Sequence, residues 1–408
     1  MYTTVNRVFQ KIGVSGARSQ RCKLFDLEIA VTYAMNSILP NSPSDKTFKT
    51  NPTINLALQG GGSHGAFTWG VLDALLEDGR IDFEGISGTS AGAMNAVALA
   101  HGFAQAQSRS QGDPREAARE ALANFWNGII GMGALSEAQR APFDILFGRD
   151  MDGNSPAAVW TNAMLSFWST SASPYQNNPF DINPLHDFLE QQIDFERLAQ
   201  LKNLKVFVVA TCVSTGKAEV FTGKRMTANA VMASACLPLA FKAVEIDGDH
   251  FWDGGYSGNP AMHPLIYDCK GRDILLVQIN PIKRVKLPTT NAEIVDRINE
   301  VTFNAGLIAE MRAIDFVKRL LAEGKLNPTH YKDVLMHRID GGEALEAFAG
   351  STKSSISANL IHSLRDLGQS RARAWLDKHY SALGVACTVN IRHDYLDDLR
   401  VPVTARSS

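Results

Sequence analysis

Ile86-Ser87-Gly88-Thr89-Ser90-Ala91-Gly92 joins an apolar run to an Ala-rich helical stretch. Gly88-x-Ser90-x-Gly92 is the pattern of a nucleophile elbow, a sharp strand-to-helix turn. A serine on such a turn has a strained backbone, and the residues two positions either side must be small to avoid collision. The turn lifts the hydroxyl to the sheet edge. It also aims the N-terminus of the next helix, with its free N–H groups and dipole, at the same spot. The motif alone is short enough to arise by chance. Its flanks strengthen it: Glu84-Gly85-Ile86-Ser87 can end a strand, and Ala91 to Gly102 reads as a helix of small residues able to pack close to a sheet.

Upstream, Asn55-Leu56-Ala57-Leu58-Gln59 is a short apolar strand, followed by Gly60-Gly61-Gly62-Ser63-His64-Gly65 and a helical spacing of Phe67, Val71, Leu72, Leu75 and Leu76. The loop satisfies the G-x-G-x-x-G pattern of a dinucleotide-binding turn, with Asp82 and Glu84 near the distance of a ribose-binding acid. Against that reading, the second strand ends in the serine elbow, where a dinucleotide fold would place its acid. The loop also lacks the Lys-Ser/Thr of a phosphate-binding P-loop. A glycine turn beside an elbow has another use, since its exposed N–H groups can form an oxyanion hole for acyl transfer. That second reading is preferred, with Gly60, Gly61, Gly62, Ser63 and Gly65 as the candidate donors.

Downstream, Phe251-Trp252-Asp253-Gly254-Gly255-Tyr256 sets an acid between an aromatic strand end and a glycine pair, with Asn259-Pro260 close behind. In isolation Asp-Gly reads as an ordinary hairpin turn. Together, and in this order, the glycine loop, Gly88-x-Ser90-x-Gly92 and Asp253-Gly254-Gly255 resemble the patatin-like phospholipase family. The likeness extends to Asp181-Ile182-Asn183-Pro184-Leu185 with Ile193-Asp194-Phe195, and to Ala233-Ser234-Ala235-Cys236-Leu237-Pro238 with Phe241. It covers about residues 53 to 283.

The resemblance implies a dyad, with Ser90 as nucleophile, Asp253 as its base and no histidine in the reaction path. A free carboxylate has a pKa near 4, far below that of the serine it must deprotonate. Such a dyad therefore depends on proximity, a desolvated carboxylate and strong oxyanion stabilisation. The sequence departs from the family at one point: the basic residue usual before the last glycine of the loop is here His64, either a tolerated surface or hydrogen-bonding substitution or a group whose charge could switch near neutrality. His263, ten residues after Asp253, is an alternative base that spacing does not exclude, although a histidine between Met262 and Pro264 is more often structural.

Composition fits an ordinary globular enzyme. The 408 residues can bury a full core, the net charge of −2 gives no case for nucleic acid, and no apolar run approaches the roughly 20 residues of a spanning helix. The N-terminus shows no signal-peptide core. Cys22, Cys212, Cys236, Cys269 and Cys387 form no CxxC pair, which suits a reducing compartment and a cytoplasmic location, with peripheral membrane attachment left open. No His/Cys/Asp spacing argues for a metal, and no cofactor is expected.

Short apolar strands alternate with helices: strand 54–59, helix 65–78, strand 82–87, helix 91–102, strand 205–212, helix 228–235, strand 274–279. This predicts a three-layer α/β/α fold around a mostly parallel sheet, with ligands at the carboxyl ends of the strands. The expected organisation is an N-terminal extension over 1–50, a catalytic core over 51–285 and a mainly helical part over 286–408 packed on the core. The extension carries Arg7, Lys11, Arg18, Arg21 and Lys23 without an acid, then an amphipathic stretch from Leu24 to Leu39. It reads as a flexible tail or as a targeting or surface-binding arm. Within the core, 103–180 breaks the alternation and turns aromatic (Phe125, Trp126, Phe143, Phe147, Trp160, Phe167, Trp168), either as a helical insertion on the core or as a cap lining an acyl chain. The helices 292–321 and 354–380 follow, with Arg312, Lys318, Arg319, Arg371 and Arg373 read as solvated.

The expected function is a phospholipase A or lysophospholipase acting on membrane or micellar lipid, with a Ser90 acyl-enzyme and with an activating partner or anionic lipid conceivable. A neutral lipase, a polyester depolymerase and a catalytically silent lipid-binding protein are the alternatives.

Overall fold

The computed structural model describes residues 51–109, 112–146, 173–177, 183–284, 286–346, 348, 352–353 and 356–396. The chain divides into two units, Met1–Thr50 and Asn51–Ser408. The first, with the basic residues and the Leu24–Leu39 stretch, lies outside the described residues.

Among the described residues eight strands form one sheet: β1 (Thr53–Leu58), β2 (Asp82–Thr89), β3 (Lys205–Cys212), β4 (Ala218–Phe221), β5 (Val244–Ile246), β6 (Asp249–Asp253), β7 (Asp273–Gln278) and β8 (Leu335–Asp340). The order is β5-β6-β3-β2-β1-β7-β8, with β4 also on β3. The five strands from β3 to β8 run parallel, whereas β4 and β6 run antiparallel to β3. β1, β3 and β7 are near-continuous apolar runs because helices cover both faces; β7 is buried at every position.

The helices that matter for the site are α1 (Gly65–Asp78), α2 (Ala91–Arg109), α3 (Pro114–Leu146), α4 (Pro184–Gln192), α5 (Ala228–Ser234), α6 (His263–Asp268), α7 (Asn291–Ala322) and α8 (Ala358–His379). α1 is buried from Gly65 to Leu76, and its main partner is α8 near the other end of the chain. Two glycines permit that approach: a Cβ on Gly70 would lie 1.9 Å from the Arg365 carbonyl oxygen, and one on Gly368 would lie 2.1 Å from that of Phe67. The helices touch backbone to backbone, which any larger side chain would prevent.

In the insertion, Phe125, Trp126 and Ile129 of α3 are core residues, so this part packs on the core. Trp126 donates from Nε1 to Asn95 Oδ1 at 3.0 Å, tying α3 to α2. The side chain of Phe143, with Phe147, Trp160, Phe167 and Trp168, lies outside the described residues. Among the described residues no helix is long and apolar enough to cross a membrane.

Candidate active site

Register brings the site together. Thr89 of β2 pairs with Val209 of β3, and Asp253 of β6 pairs with Ala210. Ser90 and Asp253 therefore end at one level of the sheet, on either side of β3. The chain leaving Asp253 then crosses toward β2: a Cβ on Gly254 would meet the Val209 carbonyl oxygen at 2.1 Å and Thr89 Cγ2 at 3.0 Å. Asp253-Gly254 is thus a strand end entering a 3-10 turn. The hairpin turn of this region lies instead at Asp247-Gly248, where both residues have positive φ.

Ser90 has φ of 53°. A left-handed backbone at a non-glycine residue costs about 1–2 kcal/mol, and the surroundings impose it. A Cβ on Gly92 would lie 2.2 Å from the Leu58 carbonyl oxygen, and one on Gly88 would lie 2.5 Å from that of Gly92. The elbow can be this tight only with glycine at both positions. The Ser90 carbonyl accepts from Met94 N–H at 3.1 Å, so α2 begins at the serine itself. The Ser90 N–H donates to Ser234 Oγ at 2.8 Å.

Asp253 is buried, and its carboxylate oxygen Oδ1 accepts from Gly255 N–H at 2.7 Å. Burial pushes its carboxyl up to about 7, against opposing hydrogen bonds from Gly255 N–H and the Ser90 hydroxyl that favour the charged form. Its backbone is clamped from both sides: its N–H donates to the Cys236 carbonyl at 2.7 Å, and its carbonyl accepts from Thr211 Oγ1 at 2.8 Å. The Ser234–Cys236 stretch thus holds both members of the pair. No local pattern in Ser234-Ala235-Cys236 signals that role. Beside Cys236 a cavity of about 480 Å³ is lined by Met232, Phe241, Val244, His186 and Tyr175 among others.

The glycine loop lies directly on the elbow. A Cβ on Gly60 would stand 2.6 Å from the Thr89 carbonyl oxygen and 2.7 Å from Ser90 Cβ. Of the five residues expected to donate to an oxyanion, two have their N–H groups engaged. Gly60 N–H bonds Asn259 Oδ1 at 2.6 Å, and Gly65 N–H turns back to Gly62 and Ser63 as the loop tightens into α1. Among the described residues the N–H groups of Gly61, Gly62 and Ser63 meet no protein acceptor, which narrows the candidate hole to these three.

A buried amide network supports the loop. Gln59 Oε1 accepts from the N–H groups of Ile279 and Asn280, both at 2.9 Å. Its Nε2 donates to the Asn259 carbonyl at 3.2 Å and to Asn304 Oδ1 at 3.1 Å. Asn280 Nδ2 donates to the Gly60 carbonyl at 2.7 Å. No local pattern marks Gln59, Asn280 or Asn304 in the sequence, and Asn259 was visible only as a neighbour of Asp253.

His64 is buried, with Nε2 2.8 Å from Thr352 Oγ1. Burial, helped by the neighbouring Lys353, lowers it to about 4, so it is neutral at neutral pH and the anticipated switch near neutrality does not arise there. His263 opens α6, and its Nδ1 faces Glu310 Oε1 of α7 at 3.5 Å. Asp82 and Glu84 stand at the start of β2, the opposite end from the elbow, where Glu84 caps the N–H groups of Lys270 and Gly271. A ribose-binding acid is needed at the carboxyl end, so the dinucleotide reading loses its acid. Of the mid-chain motif, Asp181 and Ile182 lie outside the described residues, while Asn183 and Asp194 cap short helices. Among the described residues no group of three or more His, Cys, Asp or Glu side chains could hold a metal ion.

A strained serine ending a parallel strand, a glycine loop with unpaired N–H groups over it and a buried carboxylate at the same level define an acyl-hydrolase type of site. The sequence agrees: residues 56–266, just over half of the chain, match the patatin-like phospholipase family, and the chain belongs to it. Lipid acyl hydrolysis is the general activity of that family. Among solved structures, VipD from Legionella pneumophila is similar over 90% of this chain and 79% of that one, at 15% identity and a TM-score of 0.38, too distant to carry residue roles. No curated protein matches the chain.

Proposed function

We propose that this protein is a serine hydrolase of lipid esters, of phospholipase A or lysophospholipase type, with Ser90 as nucleophile and Asp253 as its base. The observation that carries the reading is the buried Asp253 carboxyl, raised to about 7, hydrogen-bonded to a serine whose backbone is held in the elbow. A carboxylate with its ordinary pKa would be a poor partner for an alkoxide; desolvation brings its proton affinity toward the task.

Ser90 Oγ attacks the ester carbonyl carbon while its proton passes to Asp253. Negative charge gathers on the former carbonyl oxygen, within reach of the N–H groups of Gly61, Gly62 and Ser63. As the tetrahedral intermediate collapses, Asp253 returns the proton to the departing alcohol or lysolipid. Water then attacks the acyl-enzyme carbonyl, giving a proton to Asp253; the bond to Ser90 Oγ breaks, the fatty acid leaves, and Asp253 returns the proton to Ser90 Oγ.

A lipid substrate is supported by the surface next to the pair. Leu237, Leu239 and Phe241, which directly follow the stretch holding Ser90 and Asp253, are exposed, Leu239 at 93%. Tyr256, three residues after Asp253, is exposed as well and stacks edge-on with Phe303 of α7. Apolar side chains left in water around a hydrolytic site suit contact with a membrane or micelle.

The test is covalent labelling with a fluorophosphonate, with and without vesicles of zwitterionic or anionic lipid, followed by peptide mapping. The expected adduct sits on Ser90, disappears in Ser90→Ala and is strongly reduced in Asp253→Asn. An adduct elsewhere would overturn Ser90 as the nucleophile, and none under any lipid condition would leave a silent lipid-binding protein as the better description. Release of fatty acid from phospholipid, lysophospholipid and triacylglycerol separates the phospholipase from the neutral lipase.

A further inference from the structure

We propose that Lys353, acting through Asn280, is a positioning residue for the oxyanion hole; this rests on the hydrolase reading above. The peptide between Gly60 and Gly61 is flanked by two glycines, and glycine restricts a peptide plane least of all residues. A flip of that plane would withdraw the Gly61 N–H from the substrate side. In a trans peptide the C=O and N–H point opposite ways, so holding the Gly60 carbonyl fixes the Gly61 N–H. Asn280 Nδ2 holds that carbonyl at 2.7 Å, and Asn259 Nδ2 adds a longer contact of 3.4 Å.

An asparagine amide can itself turn over and present its oxygen. Lys353 opposes this, alongside Gln59 Oε1, which accepts from the same Asn280 Nδ2 at 3.3 Å. Its Nζ donates to Asn280 Oδ1 at 2.8 Å, and an ammonium group has only donors to offer, so the amide must keep its NH2 toward Gly60. A flipped amide would set NH2 against NH3+ on one side and oxygen against carbonyl oxygen on the other. The lysine thereby fixes the peptide through the asparagine.

The same segment touches the loop in two further places. A Cβ on Gly62 would lie 2.2 Å from the Lys353 carbonyl oxygen, and Thr352 bonds His64. The loop has no charge of its own, and Lys353 and Arg284 are cations whose fields reach its His64. Burial lowers the Lys353 ammonium from its ordinary range, and Glu300, ion-paired with Arg284 and Arg297, opposes that shift.

The experiment compares wild type with Lys353→Met, Lys353→Gln and Lys353→Arg. Its readouts are the fluorophosphonate labelling rate at Ser90, kcat and KM on a short-chain ester, thermal unfolding, and hydrogen exchange of the peptide covering residues 59–65. Lys353→Met is expected to slow labelling and kcat by about 10- to 100-fold with KM nearly unchanged, and to speed exchange in the loop. Lys353→Arg restores most of the rate. Lys353→Gln, which keeps a donor without the charge, falls between and serves if the Met variant does not fold. Wild-type labelling with unchanged loop exchange in the Met or Gln variant would overturn the proposal. If wild-type protein never labels, the hydrolase reading fails; loop exchange then decides the pinning alone, and unchanged exchange refutes it too.

Discussion

Replacing Asp253 by Asn should stabilise the protein at alkaline pH while abolishing its chemistry, and the size of the gain follows from the burial of the carboxyl. Its pKa rises from 3.8 in the unfolded chain to about 7 in the fold. Between those values the folded protein holds a proton that the unfolded chain releases, so stability falls as pH rises through this window and levels off above it. The full span corresponds to roughly 4 kcal/mol, of which about 3 kcal/mol falls between pH 5 and 8. The asparagine of the variant does not titrate, yet its side-chain oxygen can still accept from Gly255 N–H. Urea unfolding of both proteins at pH 5, 6, 7 and 8 measures the difference, and groups common to both cancel. The stability gap in favour of the variant should widen by about 3 kcal/mol across the series. A gap constant to within about 0.5 kcal/mol would refute the reasoning, because the carboxyl would then titrate alike folded and unfolded. The wild-type acylation rate should rise with pH to a midpoint near 7, since the base must be unprotonated; a midpoint near 4 would refute it equally.

Two more outcomes concern the elbow. Ser90→Gly should remove the left-handed strain at φ 53° and gain up to about 1 kcal/mol by denaturant titration, with labelling lost. Gly92→Ala should cost more than about 3 kcal/mol or prevent folding, because its methyl would stand 2.2 Å from the Leu58 carbonyl oxygen; a melting temperature close to wild type would contradict the packing described.

What the sequence disclosed was whatever leaves a local pattern. β3 and α1 fall at the expected bounds because an apolar run and a 3.6-residue spacing are written within each. The elbow was legible for the same reason: its glycines answer contacts with their own neighbours and with β1. β8 was not anticipated. Its strand includes His337, Arg338 and Asp340, and the burial of His337 depends on Asp273 of β7 at 2.9 Å, a partner 64 positions away. The same holds for the amides behind the glycine loop. Gln59, Asn280 and Asn304 sit in no motif, and distances of more than 200 residues separate Gln59 from the others. Arg373 is solvated as read, and its pairing with Glu77 of α1 at 2.8 Å is what only the packing of α8 on α1 could disclose.

The contact of α8 with α1 also bears on where this protein can be cut. The family match stops at residue 266, and a fragment ending near 285 would contain the serine, the aspartate and the whole glycine loop. It would not be a usable enzyme. Without β8 the outer edge of β7 would be an open row of peptide groups, and without α8 the buried face of α1 would stand in water. The candidate site and the folding unit are therefore different lengths of chain, and an expression fragment chosen by homology alone would be expected to aggregate.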